Sequence, residues 1–474
     1  MVFSSLFFLF AFLPATLLAY YAAPARCRNR VALAASCFFY AWGAPRFLFV
    51  LLASSALDYA VSHRLRDSDQ PPARRRRLLA LALTWNLALL GYFKYANFLV
   101  AELNRLLERL GAPAAPWTAV ALPIGISFFT FQKISYLVDV YRGTAQPARS
   151  LGDYWLFVVL FPQLIAGPIV RYHDLAAQLV ERRPALAPFC SGIWRFCAGL
   201  AKKVLIANTL GEVADRAFGA EAAALTPLQA WLGAWSYAFQ IYFDFSGYSD
   251  MAIGLGRFLG FEFLENFDRP YLARSFTEFW RRWHISLSNF MREYLYLPLG
   301  GNRAGTLRTY RNLWIVFLLS GFWHGAAWNF IVWGAYHGLF LTLEKLLLAR
   351  GRRPLPAALA MPGTFLLVTL GWVFFRAASL ADAVRLLSRL WPFGTAAVNA
   401  PRLADFFPPQ AATALAAAAL LSFAPLVLPA RPALALRAPR LTAALAGATA
   451  ILLLALSACA LAAGQFNPFI YFRF

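Results

Sequence analysis

The stretch Leu318-Leu319-Ser320-Gly321-Phe322-Trp323-His324-Gly325-Ala326-Ala327-Trp328 lies in a long apolar run with no countercharge near its one histidine. The run reads as two spans, 312–330 and 331–349, because a membrane-crossing helix takes about 20 mostly apolar residues. An ionisable side chain at that depth is expensive and marks a pathway or a reactive centre. This stretch therefore places the chain in a bilayer and supplies its first chemical candidate.

Composition agrees. Of 474 residues, 60 % are hydrophobic and 14 % charged, with a mean hydropathy of +0.56. Soluble domains carry about 45–50 % apolar and about 25 % charged residues. So apolar a chain is not disordered either. The 44 basic residues against 22 acidic ones give a net charge of +22. The Arg blocks fall between apolar runs, so they read as loops held at a negatively charged membrane face rather than as a nucleic-acid surface. The five cysteines include Cys190 and Cys197, but seven residues of helical rise separate that pair by about 10 Å. No CxxC occurs. Neither a disulfide nor a metal site is expected.

Further spans are expected near 2–21, 31–43, 46–62, 78–100, 117–138, 152–170, 188–208, 227–247, 361–376, 410–429 and 441–463. The first resembles a signal peptide but lacks a basic n-region, so it reads as a retained span with its N-terminus outside and Arg26, Arg28 and Arg30 inside. Placing Arg74-Arg75-Arg76-Arg77 on the same side requires a hairpin, with Gly43-Ala44-Pro45 as its turn. Several runs are too short to cross. The fold class expected is an all-α polytopic membrane protein with about ten or eleven transmembrane helices plus re-entrant and interfacial helices. The chain reads as one domain over 1–474, with N-terminal helices (1–115), a catalytic core (116–350) and C-terminal helices (351–474). No internal repeat is visible.

Between Leu264 and Asn312 the pattern changes: eight Arg residues meet four carboxylates, which suggests a cytoplasmic or interfacial element. Ser275 and Glu278 fit a capping box. Trp280, Trp283, His284, Leu287, Met291, Tyr294 and Leu295 then recur on one face of an α-helix, which Pro298 and Gly300-Gly301 end.

His324 has two readings. Withdrawal from water favours the neutral ring that a general base needs, and Gly321, Gly325 and Ala326 leave room for a substrate. Equally, a neutral imidazole could bridge two helices. His284 lies on the apolar helix face and by itself reads as a packed residue. His337, thirteen residues past His324, would sit about 20 Å away on a continuous helix, outside any shared site. His63 reads as a solvated residue and His173 as a headgroup-level one. Asp244 and Asp250 could relay protons; the favoured reading pins Arg or backbone groups where Gly247 interrupts a helix. Walker A, HExxH and GxSxG motifs are absent from the sequence.

Three stretches together resemble the membrane-bound O-acyltransferase family: Tyr242-Phe243-Asp244-Phe245-Ser246-Gly247-Tyr248-Ser249-Asp250, Glu278-Phe279-Trp280-Arg281-Arg282-Trp283-His284, and Gly321-Phe322-Trp323-His324-Gly325-Ala326. Gly91-Tyr92-Phe93-Lys94-Tyr95, Leu122-Pro123-Ile124-Gly125 and the closing Asn467-Pro468-Phe469-Ile470-Tyr471-Phe472 fit its bacterial branch that serves alginate O-acetylation. The resemblance implies that His324 is the catalytic histidine and His284 the second active-site position. It also implies a central funnel where cytosolic acetyl-CoA, a passing acyl donor rather than a bound cofactor, meets an acceptor from outside. Arg281 and Arg282 would meet the donor's phosphates. A periplasmic acetyltransferase partner protein, a polysaccharide acceptor and the lipids of the bacterial inner membrane complete the expected partners. Other acceptors implied are teichoic acid (for D-alanyl), peptidoglycan and cellulose. A reading from another class is a proton-coupled transporter or flippase using Asp244, Asp250 and the histidines.

Overall fold

A computed structural model describes residues 1–67, 69–221, 224–303, 305–351, 355–391, 397, 399–424, 439–464 and 467; of residues 439–442 only the backbone is described. The closing motif at 468–472 and the end of the expected span 410–429 lie outside them. Every regular element among the described residues is helical. The protein is an all-α polytopic membrane protein. Among the described residues four helices are long and apolar enough to cross a bilayer: Pro72–Arg109, Trp328–Ala349, Ala357–Arg376 and Ala443–Ala462.

Residues 1–192 and 255–264 form one compact unit. It holds α1 (Leu13–Ala22), α2 (Arg28–Ala41), α3 (Pro45–Arg66), α4 (Pro72–Leu90), α5 (Ala96–Arg109), α6 (Ile126–Arg142), α7 (Leu151–Val159), α8 (Phe161–Leu164) and α9 (Tyr172–Val180). Pro45 and Pro72 each open a helix, where the missing N–H costs nothing. α2 and α3 flank Trp42-Gly43-Ala44, where the turn is expected, and pack on each other. A π-helical turn, Gly91–Tyr95, joins α4 to α5. Phe8, Phe12, Phe39 and Phe161 pack ring against ring at 5.5–6.3 Å. Between α3, α4 and α6, Lys133 pairs with Asp58 at 3.2 Å while Asn86 donates to the same carboxylate. Buried charges in an apolar bundle persist only when paired in this way.

Two expected spans differ here. The run 117–138 becomes helical only at Ile126, after a left-handed Gly125 at φ 76°. The run 152–170 breaks into α7 and α8, then an irregular segment to Arg171. Pro162 and Pro168 remove the backbone donors that a continuous helix would need.

Residues 193–254 and 265–474 form the second unit. Its helices are α10 (Leu186–Ala201, from residue 193), α11 (Asn208–Gly219), α12 (Pro227–Phe258, to residue 254), α13 (Phe276–Arg282), α14 (Ile285–Met291), α15 (Thr306–His324), α16 (Trp328–Ala349), α17 (Ala357–Arg376), α18 (Leu380–Arg389), α19 (Leu403–Phe406), α20 (Pro409–Phe423) and α21 (Pro439–Ala462). Gly247 does not interrupt α12, contrary to expectation. Instead α10 and α12 cross where Gly199 faces Gly247: a Cβ on either would meet the other's carbonyl oxygen at 2.5–2.6 Å. The contact is backbone on backbone, as small-residue crossings in membranes allow.

Candidate active site

The amphipathic element expected after Ser275 begins as its capping pattern requires. Ser275 caps α13, its hydroxyl accepting from Glu278 N–H at 3.1 Å. The reciprocal half differs, because Glu278 accepts from Arg274 N–H and from the Arg282 guanidinium. The single helix face does not exist. α13 ends at Arg282, and His284 adopts a left-handed backbone, φ 44° and ψ 54°, before α14 begins. Such a conformation is strained for a residue other than glycine and persists only where its surroundings enforce it.

Asn266 supplies that enforcement. Its carbonyl accepts from Ile285 N–H at 3.0 Å, so the chain is held immediately after the turn. Its side-chain Oδ1 receives the Ser286 hydroxyl at 2.8 Å, Ser286 N–H at 3.3 Å and His284 Nδ1 at 3.1 Å. Its Nδ2 donates to Ser249 Oγ on α12 at 3.1 Å. An oxygen that only accepts requires Nδ1 of His284 to carry the proton. Nε2 is then the basic nitrogen. It is buried, and among the described residues it has no hydrogen-bond partner. Burial pushes the His284 pKa down to about 3, so the ring is neutral.

His324 is the last residue of α15, with an extended Gly325 behind it. Its ring lies 4.8 Å from that of Trp323, 5.1 Å from Trp333 and 5.2 Å from Phe375. Trp323 is also 6.4 Å from the His284 ring, so one indole stands beside both candidate imidazoles. The room expected around Gly321 and Gly325 is taken. A Cβ at Gly321 would meet Phe330 O at 2.3 Å, and one at Gly325 would meet the Phe330 ring at 2.1 Å. These glycines admit α16, not a substrate.

His337 corrects another expectation. No continuous helix joins it to His324, since the chain breaks at 325–327 and α16 packs back along α15. His337 lies 4.9 Å from Trp333, the same indole that flanks His324. Trp280 Nε1 donates to its Nδ1 at 3.3 Å, which leaves the proton on Nε2, the opposite tautomer to that of His284.

Asp244 and Asp250 act as anchors here. Asp244 pairs with Lys203 at 2.9 Å, both fully buried, and Lys203 also donates to Asn208. Asp250 pairs with Lys202 at 2.6 Å and Arg195 at 2.7 Å, while Arg195 also grips Glu265. Arg281 is exposed, whereas Arg282 is tied to Glu278 and to Asp268. Among the described residues no cluster of His, Cys, Asp and Glu could hold a metal ion.

The residue that spacing missed is Asn266. It lies 18 positions before His284, outside any regular element, and nothing in the local pattern ties the two together.

Comparison with known proteins identifies the family. The family described as MBOAT, membrane-bound O-acyltransferase family, matches residues 77–379. The probable alginate O-acetylase AlgI of Azotobacter vinelandii is 48 % identical over 83 % of this chain and 79 % of its own. Its Pseudomonas putida counterpart is 44 % identical over the whole of both chains. A peptidoglycan O-acetyltransferase of Helicobacter pylori is 40 % identical over 82 % of this chain and 79 % of its own.

Proposed function

The chain belongs to the membrane-bound O-acyltransferase family, and from that premise we propose that it transfers acetyl from acetyl-CoA to a hydroxyl in exopolysaccharide O-acetylation, with an alginate-like polymer as final acceptor. The observation that carries the reading is Trp323 flanked by the rings of His284 and His324. Similarity to alginate O-acetylases across most of the chain supports acetyl as the group and the polymer as the destination.

In this reading His324 is the general base. It takes the acceptor's hydroxyl proton as the oxygen attacks the thioester carbonyl. The C–S bond then breaks and the proton passes from the imidazolium to the departing thiolate, leaving an ester and free CoA. General-base catalysis contributes about 10²–10⁴-fold. His284 offers Nε2 as an acceptor to a neighbouring hydroxyl of the acceptor molecule, so it positions that molecule while the reacting hydroxyl faces His324. It does not donate to the developing oxyanion, because its only ring proton is committed to Asn266. Arg281, exposed at the end of α13, meets the donor's phosphates as a charge-assisted donor; Arg282, already paired, shapes the turn. The Arg-rich loops face the cytoplasm of the inner membrane and the N-terminus lies outside. A periplasmic acetyltransferase partner receives the acetyl group for the polymer.

The Helicobacter pylori relative favours one second reading, with peptidoglycan as acceptor. Mass spectrometry of both exopolysaccharide and muropeptides from a deletion strain, restored with wild type or with His324→Ala, separates them. Acetyl lost from the exopolysaccharide and regained only with wild type supports the proposal. The same pattern in muropeptides moves the acceptor to peptidoglycan, and unchanged acetylation of both rejects the function.

A further inference from the structure

The first unit contains a cavity of about 610 Å³ that plays no part in the reaction above. Its wall is basic. Arg26, Arg28, Arg30, Arg149, Arg182 and Arg183 line it, against the carboxylates of Asp153 and Glu181. Six guanidinium groups and two carboxylates leave a net charge of +4. Among the described residues neither carboxylate forms an ion pair with Arg28 or Arg182. Asp153 accepts from Asn29 and Ser150, both neutral, and Glu181 pairs with the exposed Arg183.

Two donors in this wall are unused. Nε of Arg28 and Nη2 of Arg182 are buried and have no hydrogen-bond acceptor among the described residues, although a buried N–H ordinarily finds one. Both guanidinium groups are held in place. Arg28 lies over the Tyr20 and Tyr21 rings at 5.6 and 5.7 Å. Arg182 lies over Phe261 at 4.0 Å and donates to Leu259 O and Asn29 Oδ1. α2 starts at this wall with no side-chain cap and no acidic residue in its first turn, so its end is also positive.

We propose that this cavity binds a ligand carrying two or more phosphate charges, through Arg28, Arg182 and the arginines around them. Planar guanidinium forks match phosphate oxygens, and one carboxylate would leave most of the positive charge uncompensated. The volume suits a headgroup or a nucleotide-sized anion. The phosphate comes either from an anionic phospholipid or from a soluble phosphate ester.

The test follows thermal unfolding of the purified full-length protein, since a ligand that binds only the folded state raises the midpoint. One arm titrates inorganic pyrophosphate in neutral detergent. The other compares phosphatidylcholine nanodiscs with and without cardiolipin, a lipid that carries two phosphate groups. A response to pyrophosphate identifies a soluble ligand, and one to cardiolipin alone identifies a lipid. Either response should weaken at least about tenfold in apparent affinity in Arg28→Gln/Arg182→Gln, as loss of charged hydrogen bonds predicts. Because Arg182 also anchors its loop, Arg26→Gln/Arg149→Gln, at exposed positions, provides a second variant that keeps the packing. No response from wild type to either probe, or a wild-type response in every variant that folds, overturns the proposal.

Discussion

Asn266 Oδ1 accepts a hydrogen bond from His284 Nδ1 at 3.1 Å, while the Asn266 carbonyl accepts from the residue that follows that histidine. One side chain thus fixes a ring's tautomer while its own backbone holds the left-handed turn that presents the ring. Position and protonation are set together, and neither comes from helical periodicity.

Replacing Asn266 with Ala should therefore damage both. The Ser286 hydroxyl and His284 Nδ1 lose their buried acceptor, which costs about 1–3 kcal/mol for each group left unpaired. Thermal unfolding in detergent should show the loss. Acetyl transfer per folded molecule in proteoliposomes should fall at least tenfold. Full turnover in that variant would remove Asn266 from the site.

His324→Ala should keep the protein folded in the membrane and lower turnover by about 10²–10⁴-fold, the worth of a general base. His324→Gln should be equally inactive, since an amide hydrogen-bonds but takes no proton. Rates measured on solubilised, folded protein decide this; an active Gln variant would assign His324 a bridging role.

The Asp244–Lys203 pair separates the enzyme from the transporter reading. Asp244→Leu strands a buried ammonium and should cost about 3–5 kcal/mol, seen as loss of membrane-inserted protein. Adding Lys203→Leu removes the stranded charge and should restore most of the folded protein and its acetyl transfer. A proton relay through Asp244 would leave the double variant inactive however well it folds.

At the α10–α12 crossing, Gly199→Ala forces a Cβ to within 2.5 Å of Gly247 O and 2.8 Å of Met251 N. Backbone yields poorly, so the unfolding midpoint should drop by the equivalent of about 1–3 kcal/mol. Gly219→Ala, at the end of α11, meets nothing within 4 Å. It should be neutral or gain about 0.5–1 kcal/mol.

His173 offers a pH-dependent check. Its hydrogen bond to Asp139 at 2.9 Å holds its pKa above the ordinary imidazole value. The protonated ring is thus favoured in the folded state. That contribution is complete below about pH 6.5, the unfolded value, and fades as pH rises through the raised one. His173→Gln should then destabilise the protein more at pH 5.5 than at pH 8.5, and an equal loss at both would contradict it.

The class of fold was legible because apolar run length reports directly on membrane insertion, and α2, α3, α12, α15 and α16 lie close to where those runs predict. What spacing could not show was where helices break. Trp283 and His284 continue an apolar stripe, and nothing in the stripe announces a left-handed residue enforced by a distant Asn266. His337 was set aside on a straight-helix distance that the turn at 325–327 abolishes. Gly247 and Gly321 read as an interruption and as open space, yet both are points of helix contact, a distinction that only the neighbouring helix supplies. The ionic roles of Asp244 and Asp250 were closer to hand, because a carboxylate in an apolar span needs a cation.

The hairpin of α15 and α16 carries one more implication. A Cβ at Gly321 would meet Phe330 O at 2.3 Å, and one at Gly334 would meet Phe317 O at the same distance. At these two points the helices touch backbone on backbone, so neither can shift along the other without a clash. The imidazole of His324, at the end of α15, is therefore carried by a helix that is locked to its neighbour.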